Sequence, residues 1–298
     1  MSGPSADVQE FRKVLQASQH IVVVAGAGLS AASGIPTFRD GGGLWRSLDV
    51  TSLATPEAFG ANPSLVWQFY HYLRALSAIP NNAHKLLAKM SIPNFLKTIA
   101  PRAESYHVVT QNIDRLSVKA LELLSNNLGN KKLYADRPRP ESVLEMHGRL
   151  FDVKCTSCDW CAEDRSNPLC PALGQADVHL EGYHDAGSKS NDIPEADLPR
   201  CPQCGALARP GVVWFFEEPF YMDYIDTLIL QADLCIIVGT SLTVQPAGSY
   251  MAEVQDNGGT AVIFNMDSTE LDEEADFLFR GPCEVELLRV LGVDPDSI

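Results

Sequence analysis

Residues 26–40 read Gly-Ala-Gly-Leu-Ser-Ala-Ala-Ser-Gly-Ile-Pro-Thr-Phe-Arg-Asp and directly follow the apolar run Ile21–Ala25. An apolar, β-branched run that ends in closely spaced glycines predicts a buried parallel strand that turns into a helix. Gly26, Gly28 and Ala31 match the small-residue pattern with which such a turn brings backbone N–H groups close to a pyrophosphate. Alone, the pattern fits an ordinary strand-to-helix turn equally well, so the function depends on the rest of the chain.

Alternating strands and helices account for most of the sequence. Further apolar runs predict strands at 106–110, 143–146, 234–238 and 260–264. Apolar residues at helical spacing predict helices at 8–19, 65–77, 82–90, 116–124, 221–231, 246–256 and 285–291. This alternation predicts an α/β fold with a Rossmann-like, doubly wound parallel sheet.

Composition limits the partners and the compartment. The 298 residues carry a formal net charge of -15, which argues against unaided binding to nucleic acid or to an anionic membrane. No apolar run approaches the roughly 20 residues that span a bilayer, and the N-terminus lacks a signal-type segment. We expect a monomer of the cytosol or nucleus; a mitochondrial location is allowed, although no clear transit peptide is present.

Four of the eight cysteines form two Cys-x-x-Cys pairs, Cys155 with Cys158 and Cys201 with Cys204. Together the pairs supply four thiolates, the tetrahedral set that a closed structural zinc site prefers. In a reducing compartment this predicts one structural zinc ion that stabilises the fold and does not activate water. Redox-active or merely buried thiols are the alternative. Cys161 could compete as a ligand, but we expect it to be a free thiol.

Changes in amino-acid composition and hydrophobic pattern divide the chain into domains. We expect a discontinuous Rossmann-like domain at 1–45, 105–149 and 211–298. A helical insertion is expected at 46–104, with glycines 41–43 as its hinge, and a zinc-binding module at 150–210, from which 174–199 extends as a long exposed loop.

Polar groups follow several predicted strands. Gln111-Asn112-Ile113-Asp114 follows one strand, His147 another, Gly239-Thr240-Ser241 a third, and Asn265-Met266-Asp267 a fourth. Ligands of parallel α/β sheets bind at the carboxyl ends of the strands, so we expect these groups to converge on one dinucleotide site. A histidine with a pKa near neutrality suits a general base, although a single histidine at a strand end is more often structural.

These motifs, in this order, resemble the sirtuin family of NAD-dependent protein-lysine deacylases. The resemblance covers nearly the whole chain and is carried by the glycine stretch, Thr110–Asp114, His147-Gly148, the cysteine pairs, Gly239–Ser241 and Asn265. It implies His147, Asn112 and Asp114 as catalytic residues, with His147 as general base. The NAD-binding residues it implies are Gly26, Ala27, Gly28, Ser30, Pro36, Thr37, Phe38, Arg39, Trp45, Gln111, Asn112, Ile113, Asp114, Gly239, Thr240, Ser241, Asn265, Asp267 and Cys283.

The implied reaction removes acyl groups from lysine side chains of polypeptides and yields nicotinamide and 2′-O-acyl-ADP-ribose. In this family the acyl oxygen attacks the nicotinamide ribose, and positioning contributes several kcal/mol to the rate. ADP-ribosyl transfer from the same NAD is an alternative activity. A non-catalytic, NAD-sensing peptide-binding module is another, against which the intact His147, Asn112 and Asp114 argue.

The chain is most similar to class III sirtuins, which favour malonyl, succinyl and glutaryl lysine. The substrate residues implied are Ala54, Tyr70, Leu73, Arg74, Val213, Trp214, Phe215, Phe216 and Glu217. In that class a Tyr-x-x-Arg pair binds the acyl carboxylate, but here Leu73 stands in the arginine position and Arg74 follows it. One residue on a helix is a rotation of about 100°.

Three interpretations of Leu73 and Arg74 follow. An apolar acyl group is preferred if Leu73 faces the acyl group; an acidic one is still bound if Tyr72 and Arg74 form an altered pocket; or Arg74 is a surface arginine on an amphipathic helix. Phe216, where the family has glycine, is expected to reshape peptide docking.

Overall fold

The computed structural model describes residues 3–37, 44–46, 48–128, 134–177 and 192–298. Among these residues no helix combines the length and the apolar character needed to cross a membrane. The predicted hinge at 41–43 and most of the predicted loop at 174–199 lie outside the described residues.

The helices, in chain order, are α1 (Val8–Ala17), α2 (Val50–Leu53), α3 (Pro56–Ala61), α4 (Pro63–Ala75), α5 (Asn82–Met90), α6 (Pro93–Ile99), α7 (Leu116–Leu128), α8 (Pro171–Asp177), α9 (Met222–Gln231), α10 (Tyr250–Asp256) and α11 (Cys283–Leu291). The strands are β1 (His20–Ala25), β2 (Leu44–Trp45), β3 (Leu48–Asp49), β4 (Ser105–Thr110), β5 (Val143–Glu145), β6 (Gly148–Cys155), β7 (Cys161–Glu163), β8 (Ala208–Val212), β9 (Leu234–Val238), β10 (Thr260–Asn265) and β11 (Phe277–Arg280).

The chain forms two compact units. The sheet unit comprises Met1–Gly34, Ala78–Met146 and Tyr221–Ile298, and the inserted unit comprises Ile35–Ser77 and His147–Phe220. The predicted three-part division remains a prediction. The compact units differ from it at residues 35–45, 147–149 and 211–220, which belong to the inserted unit, and at 78–104, which belongs to the sheet unit. The last difference arises because the apolar face of α5 lies in the core of the sheet unit.

The sheet unit contains a parallel sheet in the order β11-β10-β9-β1-β4-β5. Its central strands are covered on both faces, which explains why they are continuously apolar. Along β1, Ile21 and Val23 face the cluster that includes α1, α5 and α11, whereas Val22 and Val24 face the cluster that includes α9 and α10. This confirms the predicted doubly wound α/β fold.

The predicted elements of this unit agree with the structure to within a few residues, with one informative difference. The segment that follows β1 is a 3-10 helix, Ala27–Ser33, rather than an α-helix, and it ends at Gly34 with φ 86°. At the N-terminus, the Asp7 side chain accepts hydrogen bonds from the backbone N–H groups of Gln9 and Glu10, as expected for the N-cap of α1.

The inserted unit contains an antiparallel sheet in the order β7-β6-β8 and a short β2–β3 pair. The buried face of α4 packs beside this sheet, where Trp67 Nε1 donates to the Ala208 carbonyl over 2.9 Å. The prediction that 174–199 is wholly exposed is wrong at its described end, since Ile193 and Leu198 are buried. Backbone N–H of Ile193 donates to Ser64 Oγ over 2.8 Å, which attaches this segment to α4.

Candidate functional site

Two glycine turns meet at the carboxyl ends of β1 and β9. The N–H of Gly28 donates to the Gly239 carbonyl over 2.7 Å. A Cβ built on Gly26 would lie 2.5 Å from Thr240 Cβ, and one on Gly28 would lie 2.7 Å from Gly239 Cα. The glycines are therefore required by contact between the two turns, a reason that the sequence pattern did not reveal.

A partly buried polar cluster lies beside these turns, at the carboxyl end of β4. Ser30 Oγ donates to Asp114 Oδ2 over 2.6 Å, and Asn112 Nδ2 donates to the Gly26 carbonyl over 2.9 Å and to Ser30 Oγ over 3.3 Å. Backbone N–H of Leu116 donates to the other carboxylate oxygen of Asp114 over 2.8 Å. The structure thus brings together three predicted site residues, Ser30, Asn112 and Asp114.

His84 belongs to the same cluster, and the sequence analysis missed it. Burial lowers the pKa of His84 to about 4, so the ring is neutral near pH 7. Its Nδ1 accepts the N–H of Asn81 at 3.4 Å, so the ring proton lies on Nε2, 3.3 Å from Ser30 Oγ. Ser30 consequently accepts from His84 and directs its own proton to Asp114. The sequence does carry a signal for this residue. His84 lies three residues after Asn81, the N-cap of α5, which is the spacing of a capping box.

Asp114 is a carboxylate held in a low-dielectric environment. Burial raises its pKa, and the hydrogen bonds from Ser30 and from the Leu116 backbone partly offset this rise. Perturbed carboxylates at strand ends are typical of functional sites. The cluster can accept hydrogen bonds from a sugar hydroxyl or from an amide.

The remaining predicted residues of the sheet unit surround Thr240. Gln111 Nε2 donates to Thr240 Oγ1 over 3.1 Å, and Asn265 Nδ2 donates to the Thr240 carbonyl over 3.2 Å. Ala27, Ile113 and Ser241 are half-buried and Asp267 is exposed. Cys283 begins α11 and is buried, and burial raises the pKa of its thiol to about 12, so it is not a reactive thiolate.

His147 lies in the inserted unit, directly before β6. It is half-buried, and its carbonyl accepts the N–H of Val213 over 2.8 Å. Gly148, which follows it, has φ 76°, and a Cβ there would lie 2.5 Å from the Gly211 carbonyl oxygen. The close packing of β6 on β8 therefore fixes the backbone that carries His147.

The four predicted zinc ligands come together at one end of the β6–β8 sheet. Their sulfur atoms all lie within 4.8 Å of one another, with Cys155 and Cys204 at 3.4 Å and Cys158 and Cys201 at 3.7 Å. Zn–S bonds of about 2.3 Å place the sulfurs of a tetrahedral site about 3.8 Å apart. The cluster fits one structural zinc ion, and Cys161 is exposed and outside it.

Predicted substrate residues of the inserted unit form a connected group. Trp214 Nε1 donates to the Tyr70 hydroxyl over 2.9 Å, and the N–H of Phe215 donates to the Ala54 carbonyl over 2.9 Å. Burial strongly raises the pKa of Tyr70, so it remains a neutral phenol. Trp45 is also buried in this unit, 5.5 Å from Phe69 between ring centres.

Arg209 anchors this group, and its role was not predicted. Its guanidinium carbon lies 3.4 Å from the Trp214 ring centre, and its two terminal nitrogens donate to the Glu217 carboxylate over 2.6 and 2.8 Å. Burial would raise the pKa of Glu217, but the bonds from Arg209 and from the Trp214 N–H outweigh it and lower the pKa. The ion pair holds Trp214 against Tyr70.

Arg74 has a structural role. It is 5% exposed, donates to the Leu150 carbonyl over 2.9 Å, and also donates to the carbonyls of Asp164 and Ser166. The interpretation of Arg74 as a surface residue is therefore wrong, because backbone carbonyls of the zinc-bearing sheet bind the guanidinium. Leu73 is buried as well, one helical turn after Tyr70.

Phe216 occupies a strained turn. The N–H of Glu217 donates to the Trp214 carbonyl over 3.0 Å, which places Phe216 third in a β-turn, with φ 71°. Left-handed backbone at a non-glycine residue costs about 1 kcal/mol. The side chain is nevertheless 91% exposed. Of the other predicted residues, Pro36 and Thr37 are half-buried, and Phe38 and Arg39 lie outside the described residues.

Comparison with known proteins identifies relatives of this chain in sequence and in structure. The model of the Sir2 family matches residues 26–246. An NAD-dependent protein deacylase, mitochondrial sirtuin-5 of Canis lupus familiaris, is 40% identical over 297 residues, covering 98% of this chain and 87% of that protein. A mutant Sir2 homologue in complex with 2′-O-acetyl ADP ribose has a TM-score of 0.74 at 31% identity, covering 95% of each chain. A Sir2 homologue in complex with NAD has a TM-score of 0.72 at 31% identity, covering 98% of this chain and 95% of that one.

Proposed function

The chain belongs to the Sir2 family. We propose that it is an NAD-dependent protein-lysine deacylase, which yields nicotinamide and 2′-O-acyl-ADP-ribose. The observation that carries the proposal is the Ser30–Asn112–Asp114 cluster at the carboxyl end of β4, which offers an amide and a buried carboxylate to a ribose and a carboxamide. NAD supplies the ribose carbon that receives the acyl oxygen, and the nicotinamide that leaves.

The proposed roles of the chain's own residues follow from their chemistry. Asp114 and Asn112 orient the nicotinamide end, and the glycine turns admit the pyrophosphate. His147 supplies an imidazole that takes a proton from a ribose hydroxyl. The four cysteines hold zinc, which keeps the β6–β8 sheet folded and leaves no open position for water.

Replacement of His147 tests the assignment. His147→Ala is expected to abolish steady-state deacylation of an acyl-lysine peptide, measured as deacylated peptide by mass spectrometry, while NAD still binds, as measured by isothermal titration. His20→Asn is the matched control, because His20 lies at the amino end of β1. Substantial turnover by His147→Ala would remove His147 from its role. In the wild-type chain, nicotinamide release without deacylated peptide would indicate ADP-ribosyl transfer. NAD binding by the wild-type chain without any nicotinamide release would indicate a non-catalytic module.

We further propose that this enzyme prefers uncharged acyl groups. Leu73 stands where class III sirtuins carry the carboxylate-binding arginine, and it adds no charge to the side of α4 that bears Tyr70. Arg74 is bound to backbone carbonyls and Arg209 to Glu217, so neither guanidinium is free to bind an acyl carboxylate. An unpaired buried carboxylate is costly. Acetyl, succinyl and long-chain acyl peptides compared by nicotinamide release test this, and selective turnover of succinyl-lysine would contradict it.

We also propose that the enzyme acts as a monomer. We propose further that it does not bind nucleic acid, because its net charge of -15 repels the phosphate backbone. The sequence favours a cytosolic or nuclear location and allows a mitochondrial one; the relative from Canis lupus familiaris is named as mitochondrial. Light scattering and imaging of the tagged full chain would test these points.

A further inference from the structure

Phe216 combines two features that do not stabilise the folded chain. Its backbone has φ 71°, a conformation that favours glycine, and its ring is 91% exposed to water. A phenylalanine at such a position contributes no buried apolar area, so the fold supplies no reason for its presence.

The turn that carries Phe216 is rigidly fixed. Glu217 binds both Arg209 and the Trp214 N–H, and the N–H of Phe215 binds the Ala54 carbonyl. These bonds hold the residues on both sides of Phe216, so the backbone that carries its ring has a defined position. A separate hydrogen bond, from Trp214 Nε1 to the Tyr70 hydroxyl, joins the turn to the group that we assign to the acyl-lysine.

The acidic character of the chain favours a positively charged partner for this ring. Glu218 is exposed and follows the ion-paired Glu217, and the chain as a whole carries a net charge of -15. The face of an exposed aromatic ring attracts a guanidinium or an ammonium group. A carboxylate partner would be repelled by the net negative charge of the chain.

We propose that Phe216 is a specificity-determining residue, whose ring binds an arginine or lysine side chain that flanks the acyl-lysine of a polypeptide substrate. This rests on the proposed deacylase function, because it takes the neighbouring Ala54, Tyr70 and Trp214 as the acyl-lysine site. The acyl group is selected within that site, and Phe216 selects the sequence beyond it.

The test compares peptides that differ in one flanking residue. In each acyl-lysine peptide one position is varied, among the two that precede and the two that follow the acyl-lysine, and it carries Arg, Leu, Ala or Glu. The kcat/KM of each peptide is compared with that of a capped single acyl-lysine. The wild-type chain is expected to favour one Arg peptide over its Ala counterpart by about two- to fivefold. Phe216→Asn, which accepts left-handed backbone without an aromatic ring, is expected to lose this preference through a higher KM, and Phe216→Trp to keep it.

Two further measurements separate recognition from folding. Phe216→Gly is expected to raise the melting temperature, because it relieves the left-handed conformation, while it loses the Arg preference. Leu230→Asn, which changes a 65% exposed apolar residue of α9, is the control and is expected to keep the preference.

The outcomes distinguish this inference from the function on which it rests. Absence of NAD-dependent turnover of any acyl peptide by the wild-type chain would refute the deacylase function. Normal turnover with an Arg preference that survives in Phe216→Asn would refute only the role of Phe216. A preference for Leu over Arg that disappears in Phe216→Asn would show an apolar partner and overturn the cationic one.

Discussion

The ion pair between Arg209 and Glu217 is predicted to determine both the stability of the inserted unit and the shape of its substrate group. Glu217→Ala removes three hydrogen-bond acceptances, two from the guanidinium at 2.6 and 2.8 Å and one from the Trp214 N–H at 2.9 Å. The Arg209 side chain is 10% exposed, so its charge would remain almost unhydrated.

The expected loss of unfolding free energy is about 3 kcal/mol. Breaking a buried ion pair on one side costs about 3–5 kcal/mol, and the lower end applies because the Glu217 side chain is 26% exposed. Glu217→Gln keeps one acceptor oxygen and is expected to cost about half as much. Because Arg209 holds Trp214 against Tyr70, the KM for acyl peptide is expected to rise as well.

Urea unfolding of the zinc-loaded chain measures the free energy, and Glu195→Ala is the matched control. Glu195 pairs with Arg200 over 3.2 Å but is 61% exposed, so its loss should cost less than about 1 kcal/mol. The pKa of Glu217 is lowered in the folded chain, so its stabilisation is present above the unfolded pKa and disappears as pH falls through the folded one. The difference between wild type and Glu217→Ala should therefore narrow below about pH 4. A cost for Glu217→Ala no larger than that for Glu195→Ala would refute the reasoning.

Three further predictions concern zinc, the buried carboxylate and the acyl group. Cys201→Ser is expected to lose bound zinc and to unfold at a temperature lower by many degrees, whereas Cys161→Ser keeps both; atomic absorption and thermal melting measure this, and full zinc occupancy in Cys201→Ser would contradict the site. Ser30→Ala removes a hydrogen bond that lowers the pKa of Asp114, so that pKa rises further and the acid limb of the kcat/KM profile moves to higher pH; an unmoved limb would separate Asp114 from the chemistry. Leu73→Arg is expected to increase succinyl-lysine turnover relative to acetyl-lysine by about tenfold or more, and an unchanged ratio would show that residue 73 does not meet the acyl group.

Much of the fold was predictable because its signals are local. The central strands lie between two layers of helices, so they are continuously apolar, and β9 and α5 have the predicted bounds. The zinc cluster was predictable because two Cys-x-x-Cys pairs each preform half of a tetrahedral set. The short elements α3, α6 and α8 carry few apolar residues at helical spacing, and the sequence analysis missed them.

The family, the doubly wound sheet, the glycine turn and the four zinc ligands can be predicted from the sequence, since each is encoded in residues close together in the chain or in motifs of fixed order. The partners of individual side chains depend instead on tertiary packing. Arg74 binds carbonyls about 76 to 92 residues away, His84 reaches Ser30 across 54 residues, and Arg209 stacks on Trp214. Periodicity reports whether a residue faces water or the core, but a hydrogen bond depends on which distant segment packs beside it, and that is fixed only when the chain is folded.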